Sequence, residues 1–218
     1  MSYDVWLIPA AHCDTAASAR AFALMQDEAE QPATEMAARL ATEISAADGE
    51  LDDESGFLSM SPLDGTGAAV FVPSRWPAIQ QARDIVVPQA FSVGYGVYDP
   101  QLDVVLDPRG AVHGQMMTSN EGTFPTLTRG LIEHFAYAMK VKDFVIVETD
   151  VEVYMQSQRT DAEAYDLEYR DGSSDRHFGT EVARPDEVVA AMLGWLAGNE
   201  AAYQQFSWQK LELGPVTS

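Results

Sequence analysis

Two strand–turn–strand patterns constrain the fold of this chain more than any other feature of its sequence. In residues 95–108, YGVYDPQLDVVLDP, two runs of strand-forming residues flank Asp99-Pro100-Gln101, and Pro100 presets a dihedral that a tight turn needs. In residues 164–182, the runs AYDLEY and DRHFGTEV flank the turn sequence DGSS. Each pattern predicts an antiparallel hairpin, so we expect a mainly antiparallel sheet.

Segments with helical spacing alternate with these strands. Apolar residues recur every three or four positions in residues 14–29, 32–49, 76–87, 127–139 and 185–197, and Pro88 is expected to kink or stop the third of these helices. Further strands are predicted at residues 3–9, 68–73, 143–149 and 206–213. The order predicts an α+β fold, built from short hairpins with packed amphipathic helices. We expect one domain over residues 1–218, with two subdomains that meet near 110–125 as the alternative.

The charge of the chain excludes some classes of partner. With 34 acidic and 13 basic residues, the formal charge is −21, which repels nucleic acid and anionic membranes. No apolar run approaches the roughly 18 residues of a membrane span, and the N-terminus does not resemble a signal peptide. We therefore expect a cytoplasmic protein that binds neither nucleic acid nor membrane. Its single cysteine excludes an internal disulfide.

The acidic residues form two blocks around a nearly neutral middle. Residues 1–60 hold 12 acidic and 2 basic residues, residues 61–142 hold 7 and 6, and residues 143–218 hold 15 and 5. One interpretation is a surface that captures a basic partner protein. Its candidate contacts are Asp52, Asp53, Glu54, Glu168, Asp171 and Asp175. The alternative is a charged surface that serves solubility or salt adaptation.

The hairpin sequence LEYRDGSSDRHF, residues 167–178, also allows a catalytic interpretation. His177 would be the acid or base there, oriented by Asp175 or Glu168. The alternative is a polar-faced hairpin in which Arg170 and Arg176 pair with acidic neighbours across the strands. The sequence favours the hairpin, because no obvious nucleophile stands nearby and the turn needs its Asp-Gly residues regardless of function.

Two further groups of residues are candidates for chemistry. Cys13 follows the first strand, where helix N–H groups would stabilise a thiolate that His12 assists, and a buried, inert cysteine is the alternative. On a continuous strand, alternating carboxylates line one face and gather a hard cation, with a solvated strand face as the alternative. These carboxylates are Glu148, Asp150 and Glu152.

Cofactor signatures do not occur in the sequence. It contains no GxGxxG, no GxxxxGK[ST], no HExxH and no GxSxG pattern, so we expect no cofactor. A ligand pocket in the neutral middle, lined by Trp76, Tyr95 and Tyr98, remains a further alternative.

The C-terminal part of the chain resembles a group of uncharacterised bacterial proteins. The resemblance rests on AYDLEYRDGSSDRHF, DEVVAAMLGWLAG and FSWQKLEL, about 50 residues, with a similar VYDPQ turn at residues 97–101. Some members of this group resemble immunity proteins of polymorphic toxins. The resemblance implies a cytosolic protein that neutralises a partner by binding it, and it carries over no catalytic residue.

The leading hypothesis is therefore a non-enzymatic, acidic binding protein of immunity type. One rival is a small-molecule enzyme that uses the Cys13 thiol with His12, or a carboxylate-bound metal. The other is a ligand-binding domain. The oligomeric state stays open.

Overall fold

The chain has the predicted α+β fold, with two antiparallel sheets in two compact units, Met1–Ala111 and Val112–Ser218. The structure is a computed structural model that describes residues 2–29, 31–51 and 55–212. Within these residues, none of the helices combines the length and the apolar composition needed to cross a membrane.

The first unit is a five-stranded sheet with helices packed against it. Its elements are β1 (Ser2–Pro9), α1 (Ala16–Ala29), α2 (Glu35–Gly49), β2 (Gly65–Thr66), β3 (Ala69–Arg75), α3 (Ile79–Ser92), β4 (Tyr95–Asp99) and β5 (Val104–Leu106). The strand order is β2-β3-β1-β4-β5, which puts the first strand of the chain at the centre. The predicted hairpin at residues 95–108 is the β4–β5 pair.

Helix α3 does not stop at Pro88 but continues to Ser92. Val87 and Ala90, on either side of the proline, are buried, and α3 packs against β4. Because this burial offsets the missing N–H of the proline, tertiary packing overrides the local signal to stop.

A network of three polar side chains ties the first unit together. Tyr3 of β1 donates a hydrogen bond to Asp99 of β4, and Arg83 of α3 donates to the Tyr3 hydroxyl over 2.8 Å. All three side chains are buried. Burial is the main cause that raises the pKa of Asp99 and also that of Tyr3.

The second unit is a seven-stranded sheet with helices on one side. Its elements are β6 (Gln115–Thr118), β7 (Gly122–Phe124), α4 (Arg129–Ala138), β8 (Phe144–Asp150), β9 (Val153–Asp161), β10 (Ala164–Asp171), β11 (His177–Val182), α5 (Pro185–Leu196), α6 (Glu200–Tyr203) and β12 (Gln209–Lys210). The strand order is β12-β11-β10-β9-β8-β6-β7. The predicted hairpin at residues 164–182 is the β10–β11 pair, while the predicted last strand is reduced to two residues.

Side chains alternate between the two faces of this sheet, as the strand period requires. On one face, the buried residues of the central strands pack beneath α5, which contacts β9, β10 and α4. These residues include Val145, Val147, Met155, Tyr165 and Leu167. The side chains between them point to the opposite face, which carries most of the polar residues of these strands.

Candidate functional site

The candidate site is this opposite face of the seven-stranded sheet, which we call the polar face. The strand registers assign its members. They include Gln115, Met117, Phe144, Ile146, Glu148, Tyr154, Gln156, Gln158, Asp166, Glu168, Arg170, His177, Gly179 and Glu181.

A hydrogen-bonded group lies in the middle of the polar face. The Nε2 atom of His177 lies 3.0 Å from Oε2 of Glu168, and the Gln156 amide donates to the same oxygen over 2.8 Å. Gln156 stands directly opposite Glu168 on β9, whereas His177 reaches Glu168 diagonally from β11. The position opposite Glu168 on β11 is Gly179, which has no side chain to block this diagonal contact.

His177 is the most buried polar side chain of this group. Its side chain is 6% exposed, and its Nδ1 atom has no hydrogen-bond partner within the described residues. Arg170, directly opposite on β10, forms an ion pair with Glu152. Its Nε atom has no hydrogen-bond partner among the described residues. The tyrosine ring of Tyr154 meets the imidazole edge to face, with 6.1 Å between the ring centroids.

Two exposed carboxylates lie beside this group. Asp166 and Glu181 occupy directly opposed positions of β10 and β11, and both are exposed. Neither has an ion-pair partner among the described residues. Like charges in opposed positions repel each other, so this pair destabilises the isolated sheet.

Two hollows in the polar face flank Asp166 and Glu168. The first, about 230 Å³, is lined by these two residues together with Phe144, Ile146 and Gln156. The second, about 470 Å³, is bordered by the same two carboxylates and by Glu181. Acidic side chains thus line both hollows.

The predicted partner contacts have different outcomes. Glu168 lies in the middle of the polar face, as described above. Asp171 and Asp175 are exposed near the turn after β10, and Asp171 pairs with Arg176 over 2.9 Å. Asp52, Asp53 and Glu54 lie outside the described residues.

The structure does not provide the activated thiol for which Cys13 was a candidate. Cys13 follows a short 3-10 turn at Ala10–His12 and does not lie in the first turn of α1, because that helix begins at Ala16. It is buried in a cluster with Ile8 and Phe22. Burial is the main cause that raises its pKa to about 12, the opposite direction from that of a nucleophilic thiol. His12 stacks on Phe22 instead, with 3.8 Å between the ring centroids.

The candidate metal ligands are not brought together. The register of β8 shifts between Glu148 and Asp150, and Glu152 lies in the following turn with a φ of 64°. Glu148 accepts a hydrogen bond from Gln115, and Glu152 pairs with Arg170. Within the described residues, no group of three or more His, Cys, Asp or Glu side chains is arranged to hold a metal ion.

The aromatic residues proposed to line a ligand pocket serve other contacts. Tyr95 and Tyr98 are buried in the first unit, and the Tyr98 hydroxyl accepts a hydrogen bond from Arg20. Trp76 is 45% exposed and packs edge to face on Tyr3.

Sequence reasoning named His177 and Glu168 but missed Gln156, Asp166 and Glu181. The alternation AYDLEY held a signal, because it places Asp166 and Glu168 on the same face of one strand. The opposed position of Glu181 depends on the register of the hairpin.

Comparison of the chain with protein-family models, with curated proteins and with solved structures finds no match.

Proposed function

We propose that this chain is an acidic, non-enzymatic binding protein that takes up a basic partner protein on its polar face. The observation that carries the proposal is the opposed pair of exposed carboxylates, Asp166 and Glu181, beside Glu168. A cationic side chain placed between them would replace repulsion by attraction, so partner binding would relieve a cost of the free protein.

The charge of the whole molecule supports the same partner. The second unit holds 17 acidic and 8 basic residues, and the first holds 17 and 5, so both attract a cationic protein. The C-terminal part resembles uncharacterised bacterial proteins, some of which resemble immunity proteins, and this resemblance implies the same mode of action, which is neutralisation by binding.

Capture of partners from a lysate of the source cells tests the proposal. The chain is immobilised, and capture is carried out at about 0.1 M and at about 1 M salt. Between these concentrations the screening length falls from about 10 Å to about 3 Å. We expect a basic protein in stoichiometric amount at low salt and its loss at high salt.

Matched variants assign the binding to the polar face. The double variant Asp166→Asn with Glu181→Gln removes two charges there, and Asp27→Asn with Glu28→Gln removes two exposed charges on α1. The proposal predicts loss of the partner with the first variant only. Equal capture by both variants, or a complex indifferent to salt, would contradict it.

A further inference from the structure

The smaller hollow of the polar face has both apolar and acidic lining. Phe144 and Ile146 line it, as do Asp166 and Glu168. A plain cation gains little from an apolar wall. An arginine side chain uses both parts, because its flat guanidinium packs on aromatic and aliphatic surface while its N–H groups bind carboxylates.

Glu168 is held in a fixed orientation in the lining of this hollow. Its Oε2 atom accepts hydrogen bonds from His177 and Gln156, whereas its Oε1 atom has no partner among the described residues. A carboxylate held through one oxygen presents the other to an incoming group. Fixed carboxylates favour the planar, forked donors of arginine over the rotating point charge of lysine.

His177 explains how Glu168 stays in place. Its imidazole is nine-tenths buried and keeps one nitrogen unsatisfied within the described residues. A buried polar atom without a partner lowers stability, so an apolar residue would serve the fold better at this position. The imidazole contacts Glu168, which an apolar side chain could not hold by a hydrogen bond. His177 is therefore a positioning residue.

We infer that the polar face anchors an arginine of the partner, with its guanidinium in the hollow, packed on Phe144 and Ile146 and bound by Glu168. The inference rests on the proposed function, since it names the partner group that this surface recognises. Asp166 supplies the second carboxylate, and His177 and Gln156 orient the first.

Titration of the full chain with hexa-arginine and hexa-lysine peptides tests the inference. The two peptides carry equal numbers of side-chain charges, so the general acidity of the protein attracts both. By calorimetry at low salt, we expect hexa-arginine to bind about tenfold more tightly than hexa-lysine, a difference large enough to measure reliably.

Three substitutions locate the preference. Glu168→Gln keeps the size of the side chain but removes its charge, and it should abolish the difference between the peptides. Glu163→Gln removes an exposed carboxylate in the turn between β9 and β10 and should leave the difference intact. His177→Gln retains an N–H donor and should keep most of the preference, whereas His177→Leu should lose it. Thermal melting by circular dichroism checks folding, and if His177→Leu does not fold, the two glutamate variants decide.

The outcomes separate this inference from the proposed function. Binding of both peptides with equal affinity, or a preference that survives in Glu168→Gln, would overturn the arginine site and leave the acidic binding surface standing. If neither peptide binds at low salt, the proposed function fails and the inference fails with it.

Discussion

Burial decides the chemistry of single side chains in this protein. Glu168 is partly exposed, and both of its hydrogen bonds go to Oε2, so its Oε1 atom has no hydrogen-bond partner among the described residues. Cys13 is buried among apolar residues, where its thiol is kept protonated. The residue with an accessible charge is therefore the better functional candidate.

The raised pKa of Cys13 predicts that its thiol is alkylated slowly and that the stability of the protein depends on pH. Since its pKa is about 12 when folded and 9.0 unperturbed, the folded state holds the proton more tightly. The resulting stability is fully present below pH 9.0 and is lost as the pH rises towards 12. We expect iodoacetamide to alkylate the native chain at pH 8 at least about tenfold more slowly than the urea-unfolded chain. Equal rates in the two states would contradict the burial of the thiol.

Some residues of the site could be predicted from the sequence, and others could not. His177 with Glu168 was one of the pairings considered, because both occur in one hairpin with a recognisable turn. The contribution of Gln156 depends on how β9 aligns with β10, which no local pattern encodes. The burial of Cys13 depends on Phe22 of α1, and the expected helix-stabilised thiolate ignored that contact.

At the level of elements, hairpins were predictable and sheet order was not. The turn chemistry at residues 99–101 and 171–174 predicts β4–β5 and β10–β11, because neighbouring strands with a tight turn pair locally. The pairing of β6 with β8 spans the intervening helix α4, and the central place of β1 needs partners far along the chain. Such pairings depend on which faces of the sheet and helices are buried against each other. The sequence of a single segment does not contain this information.

The Tyr3 hydroxyl is the polar link between three elements of the first unit. The substitution Tyr3→Phe removes its hydrogen bonds to Asp99 and Arg83 while keeping the ring against Trp76. Because Asp99 is buried, we expect the free energy of unfolding in urea to fall by about 1–3 kcal/mol. The control Tyr137→Phe changes an exposed ring of α4 and should shift it by less than about 0.5 kcal/mol. Equal effects would show that the buried link contributes nothing.

At the scale of the whole molecule, the charge of −21 does not by itself locate a binding surface. Acidic residues are spread over both units, and the solubility interpretation predicts that all of them stay accessible. The proposed function differs because it assigns the partner to the polar face of the second unit. The distinction can be measured residue by residue.

The most direct measurement is carboxyl footprinting of the captured complex. A carbodiimide with an amine label modifies accessible Asp and Glu side chains, and mass spectrometry compares each site with the free chain. We predict that labelling of Asp166, Glu168 and Glu181 falls on binding, while that of Asp27 and Glu28 does not change. Protection confined to residues 1–111, with the polar face labelled as in the free chain, would contradict the account.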